Sequence, residues 1–307
     1  MFGKKSNYIN GAWVEGEGEI NNINPSDTND LIDTYSNASS SQLNDAVSSA
    51  KVAQKKWEKV GIEKRANILN DIGSEIIKQS KEIGTLLSRE EGKTLPEGIG
   101  EVVRSGQQFQ YYAASALRQF GENIASTREG VSVEMTREPV GVCGIISPWN
   151  FPIAIAAWKA APAMAFGNAV VLKPASQTPA SAIALTKIIS DQKDIPEGLF
   201  NLVLGGGGTI GHQISGHPDI DAISFTGSVS VGQTIYMEAA KTMKKMQLEM
   251  GSKNPLLVMD DADLDIAVAC ATNGAYGGTG QKCTASSRLI VHEKVYKDFI
   301  QRLIKSI

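Results

Sequence analysis

Val140-Gly141-Val142-Cys143-Gly144-Ile145-Ile146 is a short apolar run rich in Val and Ile, and Ser147-Pro148-Trp149-Asn150-Phe151-Pro152 follows it directly. Such a run predicts a β-strand that is buried on both faces. Three further runs of this kind come later in the chain, with helical apolar periodicity between them: residues 169–173, 200–204 and 222–225. Strands that alternate with helices predict an α/β fold with an open parallel Rossmann-like sheet.

A helical layer is predicted ahead of these strands. Apolar residues recur every three or four positions from Ser41 to about Gln79, and the pattern continues in further segments to about Phe120. The chain starts with a predicted hairpin, two short strands around the turn dipeptide Asn10-Gly11. Residues 131–138 alternate between polar and apolar side chains, which predicts an edge strand.

The composition argues against several classes of function. The net charge is −3 over 307 residues, and Lys and Arg are dispersed, so we expect no nucleic acid partner. No apolar run approaches the roughly 18 residues of a membrane span, so we expect no membrane association. The three cysteines, Cys143, Cys270 and Cys283, form neither a disulfide framework nor a CxxC zinc pair, which fits a reducing cytoplasm. With only three histidines, no metal site is expected.

Residues just beyond the predicted strands are candidates for ligand contacts, because open α/β sheets bind ligands at the carboxyl ends of their strands. Asn150 follows the first strand, where its amide can donate to a reacting oxygen or can cap a helix in a rigid turn. Lys173 ends the second strand and is either a ribose or phosphate contact or a solvated lysine. No carboxylate occurs from Lys173 to Pro179, and Ser176 is compatible with a 2′-phosphate. This favours NADP, or dual use of NADP and NAD.

Two later turns and one carboxylate complete this set. Residues 205–211 contain four consecutive glycines, which suit either a phosphate loop or a flexible connection. Residues 225–232 lead into a helix whose first amides can face a pyrophosphate, with Ser228 as a cap or a phosphate donor. Glu249 lies between apolar neighbours and is either a general base with a raised pKa or a cap or salt-bridge residue.

One cysteine has the surroundings of a nucleophile. Gly280-Gln281-Lys282-Cys283-Thr284-Ala285 places Cys283 after the glycine-rich run 274–279 and before the strand-like segment 288–291. Small neighbours leave room above the sulfur, and nearby backbone N–H groups can face a developing oxyanion. A lone cysteine is more usually a small buried hydrophobe.

Taken in chain order, SPWNFP, LKPAS, FTGSVSVG, LEMGSKNP and GQKCTA resemble the motif set of the aldehyde dehydrogenase superfamily. The resemblance runs from the hairpin at Tyr8 to the end of the chain. The sequence of residues 248–255 and 280–288 is most similar to that of the α-ketoglutarate semialdehyde (2,5-dioxopentanoate) dehydrogenases. Succinate-semialdehyde dehydrogenases are near relatives. The fold implied is a Rossmann-like domain with a helical layer and the beginning of an α/β catalytic domain.

The resemblance also implies roles for four residues. Cys283 matches the nucleophile that attacks an aldehyde carbon to give a thiohemiacetal. Asn150 matches the amide that holds the oxyanion together with the backbone N–H of Cys283. Glu249 matches the base that activates water to hydrolyse the thioester. Lys173 matches a contact to the adenosine ribose and is counted with the catalytic set.

Further positions match the lining of the NAD(P) groove, and Ser176 matches a position where a small polar residue goes with NADP. The matching set, besides Lys173, comprises Ile146, Ser147, Trp149, Ser176, Gly207, Phe225, Gly227, Ser228 and Gly251. The domains implied are an NAD(P)-binding domain over residues 1–249, with part of an oligomerisation β-segment near 122–139, and the start of a catalytic domain over 250–307.

Family chains continue well past Ile307, so the resemblance implies a C-terminally truncated chain. A homo-oligomer is expected for full-length members and is doubtful for this chain. Two alternatives to an active aldehyde dehydrogenase stay open. One is a non-catalytic nucleotide-binding fragment. The other is a phosphorylating dehydrogenase with the same cysteine chemistry, against which the water-activating carboxylate Glu249 argues.

Overall fold

A computed structural model describes residues 3–118 and 121–307 of the chain. Its strands are β1 (Asn7–Ile9), β2 (Ala12–Val14), β3 (Glu17–Ile23), β4 (Leu31–Asn37), β5 (Glu122–Ala125), β6 (Ser132–Met135), β7 (Val142–Ile146), β8 (Ala169–Lys173), β9 (Phe200–Leu202), β10 (Ala222–Gly227), β11 (Lys245–Met250), β12 (Asn254–Val258) and β13 (Ser286–Val291). Its α-helices are α1 (Ser40–Trp57), α2 (Ile62–Lys78), α3 (Ser80–Glu91), α4 (Leu95–Ala116), α5 (Ala154–Ala165), α6 (Pro179–Ser190), α7 (His212–Gly216), α8 (Val229–Ala240), α9 (Leu264–Tyr276) and α10 (Glu293–Ser306).

Seven strands form the main sheet, in the order β11-β10-β7-β8-β9-β1-β2. The four predicted strands are its parallel centre, because β10 pairs in parallel with β7, β7 with β8, and β8 with β9. From β7 the chain proceeds outward through β8 and β9, and then returns to the other side of β7 with β10. The strand order therefore reverses between β7 and β10, which is where such sheets bind ligands. The predicted open Rossmann-like α/β sheet is confirmed.

The centre of the sheet is covered on both faces. Every residue of β8 is buried, and since successive side chains of a strand point to opposite faces, neither face is open to water. Helix α1 packs against β8, and α5 packs against β7 and β8. Trp57, at the end of α1, is fully buried and its indole N–H donates to the carbonyl of Met164 in α5 over 2.7 Å.

The predicted hairpin is present and extends the sheet in the antiparallel sense. Asn10 and Gly11 both have positive φ, 49° and 82°, as a type I′ turn requires. Strand β1 pairs antiparallel with β2 and, through Tyr8 opposite Leu202, with β9. The sheet is thus mixed at this edge, whereas the sequence predicted only parallel strands.

The N-terminal helical layer consists of α1 to α4, with α4 packed against α2, α3 and α5. The predicted long helix ends at Ala116 as α4, and residues 119–120 of that prediction lie outside the described part of the chain. The antiparallel pair β3–β4 was not predicted.

Helices α5 and α6 both begin without a side-chain cap of their own. Remote glutamates take that role. Glu101 of α4 accepts from the first amides of α5, and Glu90 of α3 accepts from the backbone of Ala180 and Ser181 at the start of α6. A carboxylate at a helix N-terminus satisfies amides that otherwise have no partner and interacts favourably with the helix dipole.

The chain divides into two compact units. The larger contains residues 1–226 and 230–248, and the smaller contains residues 227–229 and 249–307. In the smaller unit β12 pairs in parallel with β13, and α9 and α10 pack together. Its core consists of Val258, Val268, Ala271, Phe299 and Leu303.

Residues 122–139 include an antiparallel hairpin, β5–β6, which pairs Glu122 with Met135 and Ala125 with Ser132. All eight residues of the two strands are exposed. The predicted edge strand at 131–138 corresponds to β6.

Within residues 3–118 and 121–307, no helix is both long enough and apolar enough to cross a bilayer. The same residues contain no group of three or more His, Cys, Asp or Glu side chains arranged to hold a metal ion.

The Trp57 contact gives a first prediction. Trp57→Phe removes the hydrogen bond to Met164 and part of a fully buried ring, so we expect a loss of about 2 kcal/mol in the free energy of unfolding. Trp158→Phe is the matched control, because Trp158 lies on α5 and is 58% exposed, and its loss should stay within about 0.5 kcal/mol. Urea denaturation measures the free energy of unfolding of both variants. Equal losses would contradict a stabilising role for the buried Trp57 side chain and its hydrogen bond.

Candidate active site and cofactor groove

A cavity of about 290 Å³ lies at the carboxyl end of β7, beside the point where the strand order reverses. It brings together two predicted residues, Ile146 at the end of β7 and Gly207 in the glycine turn. Gly208, Gly211 and Val231 also line the cavity and lie in the two turns, 205–211 and 225–232, that the sequence indicated as candidate phosphate contacts. The remaining lining residues, His212, Ser215, Thr234 and Ile235, were not predicted. Their signal was the position of α7 directly after the glycine turn and of α8 directly after β10. The mostly apolar lining suits a flat heterocyclic ring.

Lys173 and Ser176 converge on one backbone oxygen. The Lys173 ammonium donates to the carbonyl of Gly205 over 3.0 Å and to that of Pro174 over 2.6 Å, and the Ser176 hydroxyl donates to Gly205 over 3.2 Å. Lys173 is buried, so it is not the solvated lysine that the sequence left open. Burial lowers the pKa of Lys173 to about 8, because desolvation disfavours the charged amine.

The glycine turn is an ordered structure and not a flexible connection. Residues 207–211 form one π-helical turn that leads into α7. A Cβ on Gly205 would lie 2.5 Å from Cγ1 of Ile210, so only glycine fits there. By contrast, no atom lies within 4 Å of a Cβ added to Gly207 or Gly208, so a ligand can approach the backbone closely at these two residues.

The loop after β7 carries Ser147, Trp149 and Asn150. The backbone N–H of Ser147 donates to the carbonyl of Lys173 over 3.1 Å, which places the loop beside the end of β8. The Ser147 hydroxyl is buried and has no hydrogen-bond partner among the described residues. Trp149 is 38% exposed. Asn150 is not the cap of α5, because the residue at that position is Ile153.

The pair that holds this loop, Lys93 and Glu101, was not predicted from the sequence. The Lys93 ammonium lies 2.7 Å from Oε2 of Glu101 and donates to the carbonyl of Asn150 over 2.8 Å. Burial raises the pKa of Glu101, although Lys93 and two backbone amides oppose that shift. Glu91, with its Oε2 3.8 Å from the same ammonium, has its pKa raised to about 7 by burial. The sequence offers no local signal for this cluster, since Asn150 is 57 residues from Lys93.

A further buried lysine, Lys159 of α5, lies beneath the end of β10. Its ammonium donates to the hydroxyl of Ser224 over 2.7 Å and to the carbonyl of Phe225 over 3.5 Å. The predicted groove residue Phe225 is itself buried. Lys159 was not singled out because a lysine within an apolar helix carries no motif.

In the smaller unit, Cys283 is exposed on the loop before β13. The Asn254 side-chain amide donates to the carbonyl of Cys283 over 2.7 Å and to that of Ala285 over 3.2 Å, so it fixes the backbone directly after the thiol. Asn254 belongs to the quoted segment LEMGSKNP but was not itself predicted. Just upstream, Gly278, Thr279 and Gly280 have φ of 60°, 57° and 69°. A threonine in this region is strained by about 1 kcal/mol or more.

Glu249 lies inside strand β11 and not beyond a strand end. The prediction missed this strand because its residues alternate between exposed and half-buried in a charged segment. The Glu249 side chain is exposed, which differs from the apolar setting that its neighbours in sequence suggested. Gly251 follows β11 and is exposed, Gly227 ends β10, and Ser228 directly precedes α8.

The predicted residues therefore fall in two groups. Within the larger unit, the ends of β7 and β8 and the glycine turn bring together Ile146, Ser147, Lys173, Ser176 and Gly207. The predicted residues of the smaller unit are Gly227, Ser228, Glu249, Gly251 and Cys283.

The larger unit thus combines an open parallel α/β sheet with a groove at its switch point. Residues 13–307 match the model of the aldehyde dehydrogenase family, so the chain belongs to that family.

Individual relatives agree with this membership. Alpha-ketoglutaric semialdehyde dehydrogenase of Bacillus subtilis is 41% identical over 303 residues, which are 97% of this chain and 62% of the relative. The chain thus spans less than two thirds of the length of the relatives it matches. A solved Escherichia coli NADP-dependent enzyme matches with a TM-score of 0.96 and 32% identity, over 99% of this chain and 63% of the other. Betaine aldehyde dehydrogenase of Staphylococcus aureus, solved with NAD+, matches with a TM-score of 0.96 and 34% identity, over 99% and 61%.

The lowered pKa of Lys173 gives a pH-dependent prediction. Between about pH 8 and pH 10.5 the unfolded chain holds this proton while the folded protein does not, so folding stability rises with pH in this window. From pH 8 to pH 10, the free energy of unfolding of the wild type should increase by about 2 kcal/mol relative to Lys173→Met. Denaturant titrations at the two pH values measure this difference. If the free energy of unfolding of the wild type relative to Lys173→Met is the same at both pH values, the pKa of Lys173 is not lowered in the folded protein.

Proposed function

We propose that this chain carries the nucleophile and the cofactor groove of an NAD(P)-dependent oxidation of an aldehyde to a carboxylate. The observation that carries the proposal is Cys283, an exposed thiol on a loop whose backbone Asn254 holds at the carbonyls of Cys283 and Ala285. Family membership supports the same chemistry. The larger unit is proposed to bind the cofactor, and residues from 250 onward are proposed to belong to the catalytic domain.

In the proposed reaction the Cys283 thiolate forms a C–S bond to the aldehyde carbon, and the carbonyl oxygen becomes an oxyanion. The Asn150 amide and the Cys283 backbone N–H stabilise that oxyanion. Loss of hydride from the same carbon leaves a thioester on Cys283. Glu249 then accepts a proton from water, which attacks the thioester, releases the carboxylate and regenerates the thiol.

The groove of the larger unit fits a dinucleotide. Its apolar cavity suits the adenine ring, and the glycine turn lets a ligand approach the backbone closely. The buried Ser147 hydroxyl has no hydrogen-bond partner among the described residues, so it is available to a ligand. When bound, the nicotinamide supplies the hydride acceptor. Lys173 and Ser176 are proposed to face the adenosine ribose, with Trp149, Phe225, Gly227, Ser228 and Gly251 lining the rest of the groove.

NADP is the proposed preference, with NAD also accepted. Position 176 holds a neutral hydroxyl, whereas a carboxylate would repel a 2′-phosphate. Solved relatives at 32% and 34% identity are described as NADP-dependent and as bound to NAD+, which is compatible with dual use.

The proposed substrate is a dicarboxylic semialdehyde such as 2,5-dioxopentanoate, with succinate semialdehyde as the nearest alternative. The support is the 41% identity to an alpha-ketoglutaric semialdehyde dehydrogenase. Homo-oligomerisation is proposed for full-length members of the family, with the exposed β5–β6 hairpin as part of the interface, and is not proposed for this chain alone.

A second candidate is a nucleotide-binding protein without turnover. It is favoured by one observation, that the chain spans 62% of the length of its semialdehyde dehydrogenase relative. Calorimetric titration with NADP, together with an assay of aldehyde oxidation, distinguishes the two candidates. Binding without turnover supports the second candidate, and turnover excludes it.

Substitution of the thiol tests the mechanism. Cys283→Ala removes the atom that binds the aldehyde, so we expect turnover of 2,5-dioxopentanoate to fall at least 10³-fold while NADP binding is retained. Cys270→Ala is the control, because Cys270 is the other exposed cysteine of the smaller unit, and its turnover should match the wild type. Retained turnover in Cys283→Ala would exclude this mechanism. Acyl phosphate as the product in phosphate buffer would instead revive a phosphorylating dehydrogenase.

Substitution at position 176 tests the cofactor preference. Ser176→Glu places a carboxylate beside the proposed ribose site, so the Kd for NADP should rise at least tenfold while that for NAD changes less. Ser74→Glu makes the same charge change on the exposed face of α2 and should leave both constants unaltered. Calorimetry measures both, and an unchanged ratio of the two affinities would place the 2′-phosphate elsewhere.

A further inference from the structure

We propose that Lys93 and Glu101 are positioning residues for the oxidation, and that they fix the backbone of the loop that presents the Asn150 amide. The inference rests on the proposed function, in which Asn150 stabilises the oxyanion. It adds two residues that lie outside the quoted motifs and do not line the cavity of the larger unit.

Lys93 lies between α3 and α4 and reaches the loop after β7. Its ammonium donates to the backbone carbonyl of Asn150 over 2.8 Å and lies 4.2 Å from the centroid of the Phe151 ring. The side chain is only 5% exposed. One cation therefore binds two successive residues of the loop, by a charge-assisted hydrogen bond and by a cation–π contact.

Glu101 continues this connection into α5. Its Oε2 lies 2.7 Å from the Lys93 ammonium, and its Oε1 accepts from the backbone N–H groups of Ile153 and Ala154, each over 3.1 Å. The Glu101 side chain is 2% exposed. A single buried ion pair thus holds the carbonyl of Asn150 and the first amides of α5, which are backbone points on both sides of Phe151.

The two prolines of the loop limit the number of hydrogen bonds that its own backbone can donate. Pro148 and Pro152 have no backbone N–H, so neither can donate a hydrogen bond that anchors the loop. An oxyanion donor acts only when it is held close to its productive position, within roughly 0.5 Å. Removing one member of a buried ion pair leaves the other charge uncompensated, so the surrounding backbone must rearrange.

Backbone amide exchange measures the connection directly. In Lys93→Met, and independently in Glu101→Gln, exchange of the Ile153 and Ala154 amides should accelerate about tenfold or more, while the amides of β8 exchange as in the wild type. Lys64→Met and Asp194→Asn are the matched controls, because Lys64 and Asp194 form an exposed ion pair at 3.1 Å in the same unit. Neither control should change exchange in the loop.

Steady-state kinetics measure the consequence. We expect kcat for the aldehyde to fall at least tenfold in Lys93→Met and Glu101→Gln, with the KM for NADP changed less than twofold, and Lys93→Arg to recover part of kcat. Should Lys93→Met fail to fold, the two readouts on Glu101→Gln carry the test.

Unchanged exchange at Ile153 and Ala154 in a folded variant would overturn the connection. Faster exchange with unchanged kcat would show that the pair supports the fold alone, and would overturn the positioning role. The proposed function fails separately: a wild type with no turnover, or an Asn150→Ala variant as active as the wild type, removes the oxyanion role of Asn150. The exchange rates still report whether the ion pair holds the loop.

Discussion

A parallel β-sheet must be covered on both faces, and that constraint determines most of this structure. The parallel strands β10, β7, β8 and β9 are joined by helical crossovers, and those helices provide the cover. The crossovers also place all carboxyl ends of these strands at one edge. Ile146, Lys173 and Phe225 come together there because each lies at or near the end of a strand, not because they are close in sequence.

The same burial forces every charged group near that edge to find a partner. Lys173 is surrounded by carbonyl oxygens, which solvate an amine only partly, and its pKa falls accordingly. Lys93 instead has a carboxylate, a carbonyl and an aromatic ring around it. Both lysines are buried, and in the proposed function the first contacts a ligand while the second holds a backbone in place. The difference arises entirely from their partners.

Local sequence was sufficient for some of these features and not for others. The apolar runs before Ser147 and Lys173 predicted their strands, since hydrophobic periodicity and strand ends are encoded within a few residues. Strand β11 was missed because its alternating, charge-rich residues resemble a solvated segment, and Glu249 was therefore placed outside a strand. The glutamate caps on α5 and α6 were missed for another reason. Each joins residues at least 50 positions apart, and no local pattern specifies such a pair.

The β5–β6 hairpin has a consequence of a different kind. None of its eight strand residues is buried, so none contributes to the cores that stabilise the two units. Substitutions in this hairpin therefore have little effect on the free energy of unfolding and change only an exposed surface. Selection can therefore alter the sequence of this hairpin without disturbing the cores of the two units.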